Sequence, residues 1–254
     1  MTGLSIPLLA LLGLLGLVGG IGITALGPGG VLPTVGLFAL TGLSPSQVAG
    51  TAIVTHVATG ALGTVAYTRS GHLRDPGTRR IALILAGAAV VGTPLGVLVN
   101  ARVSTPAFGL VLGAFVAVVA LLMWYRERHR PAETAARPAA ALVAALGLAV
   151  AVAAGVVGIG GPMLTVPLLI ALGVPVLGSL AAAQAQSIVV AGVGTLGYLA
   201  QGAIDWPLAA VVGIPELAGV LLGWKIARTA PTRTLKYALI VTLLALAPYL
   251  ALHG

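Results

Sequence analysis

Two glycine clusters, Gly27-Pro28-Gly29-Gly30 and Gly158-Ile159-Gly160-Gly161, each interrupt a long apolar stretch and each precede a proline-containing apolar run. In lipid a freed backbone N–H or C=O is costly unless protein or a water-filled cavity answers it, so irregular backbone at that depth marks a site. A half-helix beginning after Gly29-Gly30, and another after Gly160-Gly161 with Pro162 at its first position, would turn free N–H groups and positive dipole ends inward. Two such ends facing each other suit a small anion and need no fixed cation.

The apolar segments that follow carry the uncharged polar groups that suit such a ligand. Thr51, Thr55 and His56 lie near one helix face in the first; Gln184, Gln186 and Ser187 take comparable places in the second. Plainer roles stand beside this one. The two threonines can bond their own helix carbonyls, His56 can join neighbouring helices, and Gln184 and Gln186 sit too close in sequence to face one cavity together. Glu216, after Pro215, is the only acid deep in an expected span, either coupling or gating transport or acting as a hydrogen-bonded acid between helices. The expected substrate-binding set is Gly27, Gly29, Gly30, Thr51, Thr55, His56, Gly158, Gly160, Gly161, Gln184, Gln186 and Ser187, with Glu216 for gating or coupling. No catalytic residue, metal site or cofactor is expected: the chain has no Cys and no H-E-x-x-H, and a Ser187/His56 dyad would rest on repeat alignment alone.

The elements that position these groups are membrane helices. Of 254 residues, 59% are hydrophobic and 7% charged, which excludes a soluble domain. The net charge of +8 sits in short groups between apolar segments, where it orients a membrane protein rather than binding nucleic acid. Met1 to Pro7 lacks a positively charged leader pattern, so the first apolar run is expected to stay in the membrane.

Shifting the first half by 131 residues lays Gly27, Gly29 and Gly30 on Gly158, Gly160 and Gly161, Thr34 on Thr165, Gly63-Thr64 on Gly194-Thr195, and Tyr67 on Tyr198. The same shift puts Thr55 on Gln186 and His56 on Ser187, whereas Gly92 and Gly96 match Gly219 and Gly223 only after a four-residue deletion. Duplication explains this order better than chance in an Ala/Gly/Leu-rich chain. The first repeat, 1–125, is expected to hold a hairpin at 4–42 and helices at 45–68, 81–99 and 106–125. A cytoplasmic linker follows at 126–137. The second repeat, 138–254, is expected to hold a hairpin at 138–173 and helices at 176–200, 206–224 and 232–252.

Loops rich in Lys and Arg lie inside. Arg69 to Arg80 and the central linker each contain four such residues and the Arg102 link one, whereas the Asp205 loop has none and Lys225 to Lys236 has four. The parity that results requires re-entrant hairpins, inverted repeats and both termini outside. Inverted repeats with broken helices are a transporter pattern, with substrate held near the midplane.

The glycine clusters, with Pro33, Ala49-Gly50-Thr51, Val166-Pro167-Leu168 and Ile204-Asp205-Trp206, resemble the TauE/SafE family of sulfite and organosulfonate exporters over nearly the whole chain. Pro28 departs from the family's usual glycine run, and Ala182 stands where the first copy has Thr51. The resemblance implies an all-α carrier in a bacterial or archaeal inner membrane for sulfite, thiosulfate or a sulfonated carboxylate such as sulfoacetate. The expected partners are a small anionic substrate, a coupling ion and the lipid bilayer, with a homodimer left open and nucleic acid excluded. No Walker-type ATP loop is present, so transport would be secondary. A carrier or channel for another anion, and an intramembrane enzyme, are the competing readings.

Overall fold

The computed structural model describes residues 4–25, 29–128, 138–229, 241, 244 and 247–250. Gly27, most of the linker expected at 126–137 and most of the helix expected at 232–252 lie outside these residues. Among those described there is no strand. The helices are α1 (Ile6–Ala25), α2 (Val31–Leu40), α3 (Pro45–Arg69), α4 (Pro76–Asn100), α5 (Thr105–Arg128), α6 (Ala140–Val157), α7 (Pro162–Ala171), α8 (Val176–Ala200) and α9 (Trp206–Thr229), with a 3-10 turn at His72–Arg74. All but α2 and α7 are long and apolar enough to cross a membrane. Those two have ten residues each and reach about 15 Å, half a bilayer.

Local chemistry sets the helix starts. Ser44 and Gln47 form a reciprocal capping box at α3, with Pro45 in the first turn. At α4, Asp75 accepts a hydrogen bond from the Thr78 N–H at 2.8 Å and Pro76 occupies the first turn. The helix therefore begins ahead of residue 81, the start suggested by hydropathy, and takes Arg79 and Arg80 into its first turns. Helix α6 ends at Gly158, whose φ of 76° places it in the left-handed region, pressed against the backbone of Ala49. Any side chain there would be strained and would also collide.

Glycines set how closely the helices approach. Helices α1 and α2 form an antiparallel hairpin: Gly19 packs on Pro33 and Gly36 on Leu15. Each half's first helix then packs on the third full-length helix of the other half. Gly16 and Gly20 of α1 meet the backbone at Val212 and Glu216 of α9, and Gly219 and Gly223 of α9 meet Leu17 and Ile21 of α1. Between α4 and α6, Gly92 and Gly96 meet Leu148 and Val152, and Gly147 meets Leu85. Leu148 and Val152 are Leu17 and Ile21 moved by 131, so the glycine pairs that align only after a deletion do equivalent work.

Successive contacts also give the helix directions. Pairs rise together along α1 and α9, and along α4 and α6. Across α3 and α8 they run opposite, from Gly50 on Tyr198 through Gly60 on Ile188 to Gly63 on Gln184. Helix α4 runs with α8, Thr93 lying beside Gly194 and Val97 beside Gly197. Antiparallel α3 and α8 form the centre, and Val48 and Ala52 of α3 join an apolar core that includes Leu12, Leu37, Phe108, Ile159 and Leu208.

Replacing Gly96 or Gly223 by Val pushes a branched side chain into facing backbone. Each change is expected to cost about 1–3 kcal/mol and to lower the thermal midpoint of the purified protein in detergent, whereas Gly87→Ala, at an open position, leaves it unchanged.

Candidate functional site

The two glycine turns meet mid-bundle. A narrow cleft with an enclosed volume of about 10 Å³, room for about one water, is lined by Gly30, His56, Thr59, Gly160, Gln184 and Ser187, with Ile23, Ile159, Pro162 and Met163 as apolar wall. The His56 ring lies between the turns: a Cβ at Gly30 would stand 3.2 Å from its Cε1, and one at Gly160 would stand 3.7 Å from its Cγ and 2.9 Å from the Ser187 Oγ. Glycine at these places keeps the cleft open.

At the second turn the protein satisfies the acceptors and leaves the donors. The last carbonyls of α6 receive side-chain donors: the Tyr198 hydroxyl donates to the Gly155 carbonyl at 2.6 Å, the Asn100 amide to Val156 at 2.6 Å, and the Thr34 hydroxyl to Gly158 at 3.4 Å. Helix α7 starts beyond Gly161 with no side-chain cap, and α2 starts beyond Gly30 equally uncapped. Pro33 and Pro162 have no N–H and Leu32 gives its own to the Gly29 carbonyl at 3.2 Å, so a few first-turn N–H groups, those of Val31 and Met163 among them, are left at the two positive dipole ends. The local surplus is of hydrogen-bond donors.

Behind His56 stands Glu216. Its Oε1 is 3.1 Å from the imidazole Nδ1, at ion-pair distance but without hydrogen-bond alignment. The imidazole is 2% exposed and the carboxylate fully buried. The His56 Nε2 and both carboxylate oxygens lack a hydrogen-bond partner. For groups this polar, such bareness is expensive unless a ligand, proton or water completes it.

The remaining sequence-predicted residues fall into place as follows. The Thr51 hydroxyl accepts from the Asp205 N–H at 2.9 Å, tying α3 to the start of α9, and Thr55 donates to its own helix at the Ala52 carbonyl, 2.9 Å away. Gln186 accepts from Thr165 at 2.6 Å and donates to the Gly147 carbonyl at 3.3 Å, joining α7, α8 and α6. Gly161 lies against the Gln186 side chain, where a Cβ would be 3.0 Å from Oε1. Gly29 packs into α1 at Gly19 and Gly22, and Gly158 ends α6. The structure therefore brings Gly30, His56, Gly160, Gln184 and Ser187 together at the cleft, with Glu216 one shell behind. Thr51, Thr55, Gly29, Gly158, Gly161 and Gln186 do not line it, and Gly27 is outside the described residues. Among the described residues no hydrogen bond joins Ser187 to His56, and none groups three or more His, Cys, Asp or Glu as a metal site would. Thr59 was missed; its signal is the three-residue spacing from His56, which puts it on the same face. Nothing in the sequence links His56 to Glu216, which lie on different helices.

Residues 12–250 match the family model described as "Sulfite exporter TauE/SafE". A similar protein is the "Probable membrane transporter protein YdhB" of Bacillus subtilis (strain 168), 26% identical over 225 residues that cover 85% of this chain and 89% of the relative. No solved structure matches.

The two glutamines should separate by experiment. Gln186→Leu removes partners from Thr165 and Gly147 and is expected to destabilise the fold by about 1–3 kcal/mol, read as a lower thermal midpoint. Gln184→Leu is expected to leave the midpoint within about 0.5 kcal/mol of the parent.

Proposed function

The chain belongs to the TauE/SafE sulfite exporter family of membrane transporters, and from that premise we propose that it is a secondary carrier for a small sulfur-containing oxyanion, held at the cleft between the two glycine turns. Sulfite, thiosulfate and organosulfonates such as sulfoacetate are the substrate class. The observation that carries this reading is the donor surplus: carbonyls beside the Gly158 turn are satisfied by Tyr198, Asn100 and Thr34, while uncapped N-termini of α2 and α7 flank the cleft. His56, Gln184 and Ser187 add imidazole, amide and hydroxyl donors. An oxyanion offers several acceptor oxygens and fits such a lining.

In this reading the halves sit in the bilayer as inverted repeats. Support comes from helix direction: α1 runs with α9, α6 runs with α4, and the equivalent central helices α3 and α8 run opposite. The hairpins α1–α2 and α6–α7 then enter from opposite faces and turn at depth, and alternating access would come from one half rocking on the other about the fixed cleft. The Lys and Arg distribution puts both termini outside a bacterial or archaeal inner membrane.

Purified protein in proteoliposomes is expected to carry labelled sulfite or sulfoacetate with saturable kinetics; flux of no sulfur oxyanion from folded protein would reject the reading, and non-saturable flux would point to a channel. Gly160→Val, which fills the space before Ser187, is expected to reduce flux at least about a hundredfold with the protein still present in the membrane.

A further inference from the structure

His56 and Glu216 are an ionisable pair that the scaffold itself does not require. Their repeat-equivalent positions are Ser187, on the 131-residue shift, and Ala89, on the 127-residue shift that relates Gly92 and Gly96 to Gly219 and Gly223. The second half packs in the same manner with no charge there. An acid and an imidazole both buried in one copy only, with two of their four polar atoms, Nε2 and Oε2, lacking any partner at ion-pair or hydrogen-bond distance, point to a working role.

The geometry identifies the atom. Nδ1 faces the Glu216 carboxylate, so in the neutral ring the carboxylate favours the proton on Nδ1, and Nε2 is left as a bare lone pair. That ring borders the cleft between Gly30 and Gly160. A lone pair there repels an oxyanion, whereas an N–H there donates to one. Charge acts in the same direction: the deprotonated pair carries one negative charge beside the uncapped helix ends, and the singly protonated pair carries none.

Resting on the transport reading above, we propose that anion occupancy is linked to protonation of His56, one proton entering with each anion, so that the coupling ion is the proton. Hydronium at the cleft mouth gives its proton to the Nε2 lone pair and leaves as water; the new N–H faces the anion, and both are released together when the cleft opens to the other side. Glu216 is a positioning residue: its carboxylate, 3.1 Å from Nδ1, fixes the ring and leaves Nε2 as the atom that takes the proton. Among the described residues, other groups do not compete from the neighbouring helices. Helices α1, α2, α6 and α7 contain no Asp, Glu, His, Lys or Arg. Tyr198 on α8 gives its hydroxyl to Gly155. The titratable groups that remain on the described helices α3, α4, α5, α8 and α9 stand toward helix ends: Tyr67 and Arg69 on α3, Arg79 and Arg80 on α4, Tyr125 to Arg128 on α5, and Asp205, Lys225 and Arg228 at the two ends of α9.

The test uses proteoliposomes holding a trapped fluorescent pH indicator, with labelled methanesulfonate and thiosulfate as probes because neither changes charge between about pH 5 and 8, where an ordinary histidine titrates. Uptake is expected to acidify the lumen by one proton per anion, and KM to rise about tenfold per pH unit on the alkaline side. Glu216→Gln, which removes the charge facing Nδ1, should displace that profile along the pH axis. His56→Gln, with a permanent amide donor, should make uptake independent of pH and stop the acidification; if this variant does not fold, the proton count and the Glu216→Gln shift decide. Uptake that is flat with pH and moves no protons overturns the linkage and leaves the transport reading standing. Absence of uptake of these probes and of sulfite, with folded protein, rejects both.

Discussion

Backbone groups released inside an apolar bundle must find partners there, and this constraint governs both what holds the fold and what is left to bind. Where α6 stops, three side chains from three other helices close on its carbonyls: Tyr198 from α8, Asn100 from α4 and Thr34 from α2. Left bare, each of those carbonyls would carry the desolvation penalty of a buried polar group. The amide side of the same turn has no such closure. Interrupting a helix frees donors as well as acceptors, and the surrounding side chains here answer the acceptors. What remains is a cleft that favours negative charge without a lysine or arginine in its wall.

Close helix packing is the second half of the same economy. Apolar side chains gain little by leaving lipid for a neighbouring helix, so association rests on backbone approach through small residues. The glycine pairs of α1 with α9 and of α4 with α6 give this approach twice, with each half's first helix held by the other half. The exchange ties the two turns to one centre, since neither hairpin has its main packing partner within its own repeat.

The two halves share a packing frame and differ in the chemistry set on it. Gln184 lies over Gly63, and at the equivalent place Ile53 lies over Gly194. His56 corresponds to Ser187 and Glu216 to Ala89. The packing relations at Gly63 and Gly194 survive these exchanges, so the polar side chains of the cleft vary on a shared scaffold. One wall is accordingly ionisable and the other is not.

The helical class, the membrane setting and the break between α6 and α7 were legible in the chain because each is written locally, in runs of apolar residues, in glycine clusters and in helix-start residues such as Ser44 and Pro162. The start of α4 was less so, because hydropathy points to residue 81 while the Asp75–Pro76 cap, a stronger local signal, begins the helix earlier. Which polar residues face the cleft was not legible. Thr51, Thr55 and Gln186 share types and spacings with His56, Gln184 and Ser187, yet the first three spend their polar atoms on Asp205, Ala52, Thr165 and Gly147. Periodicity names a helix face, but which neighbour that face meets depends on contacts between segments far apart in the chain. The meeting of His56 with Glu216, 3.1 Å apart on helices from opposite halves, is the extreme case, and tertiary packing alone decided it.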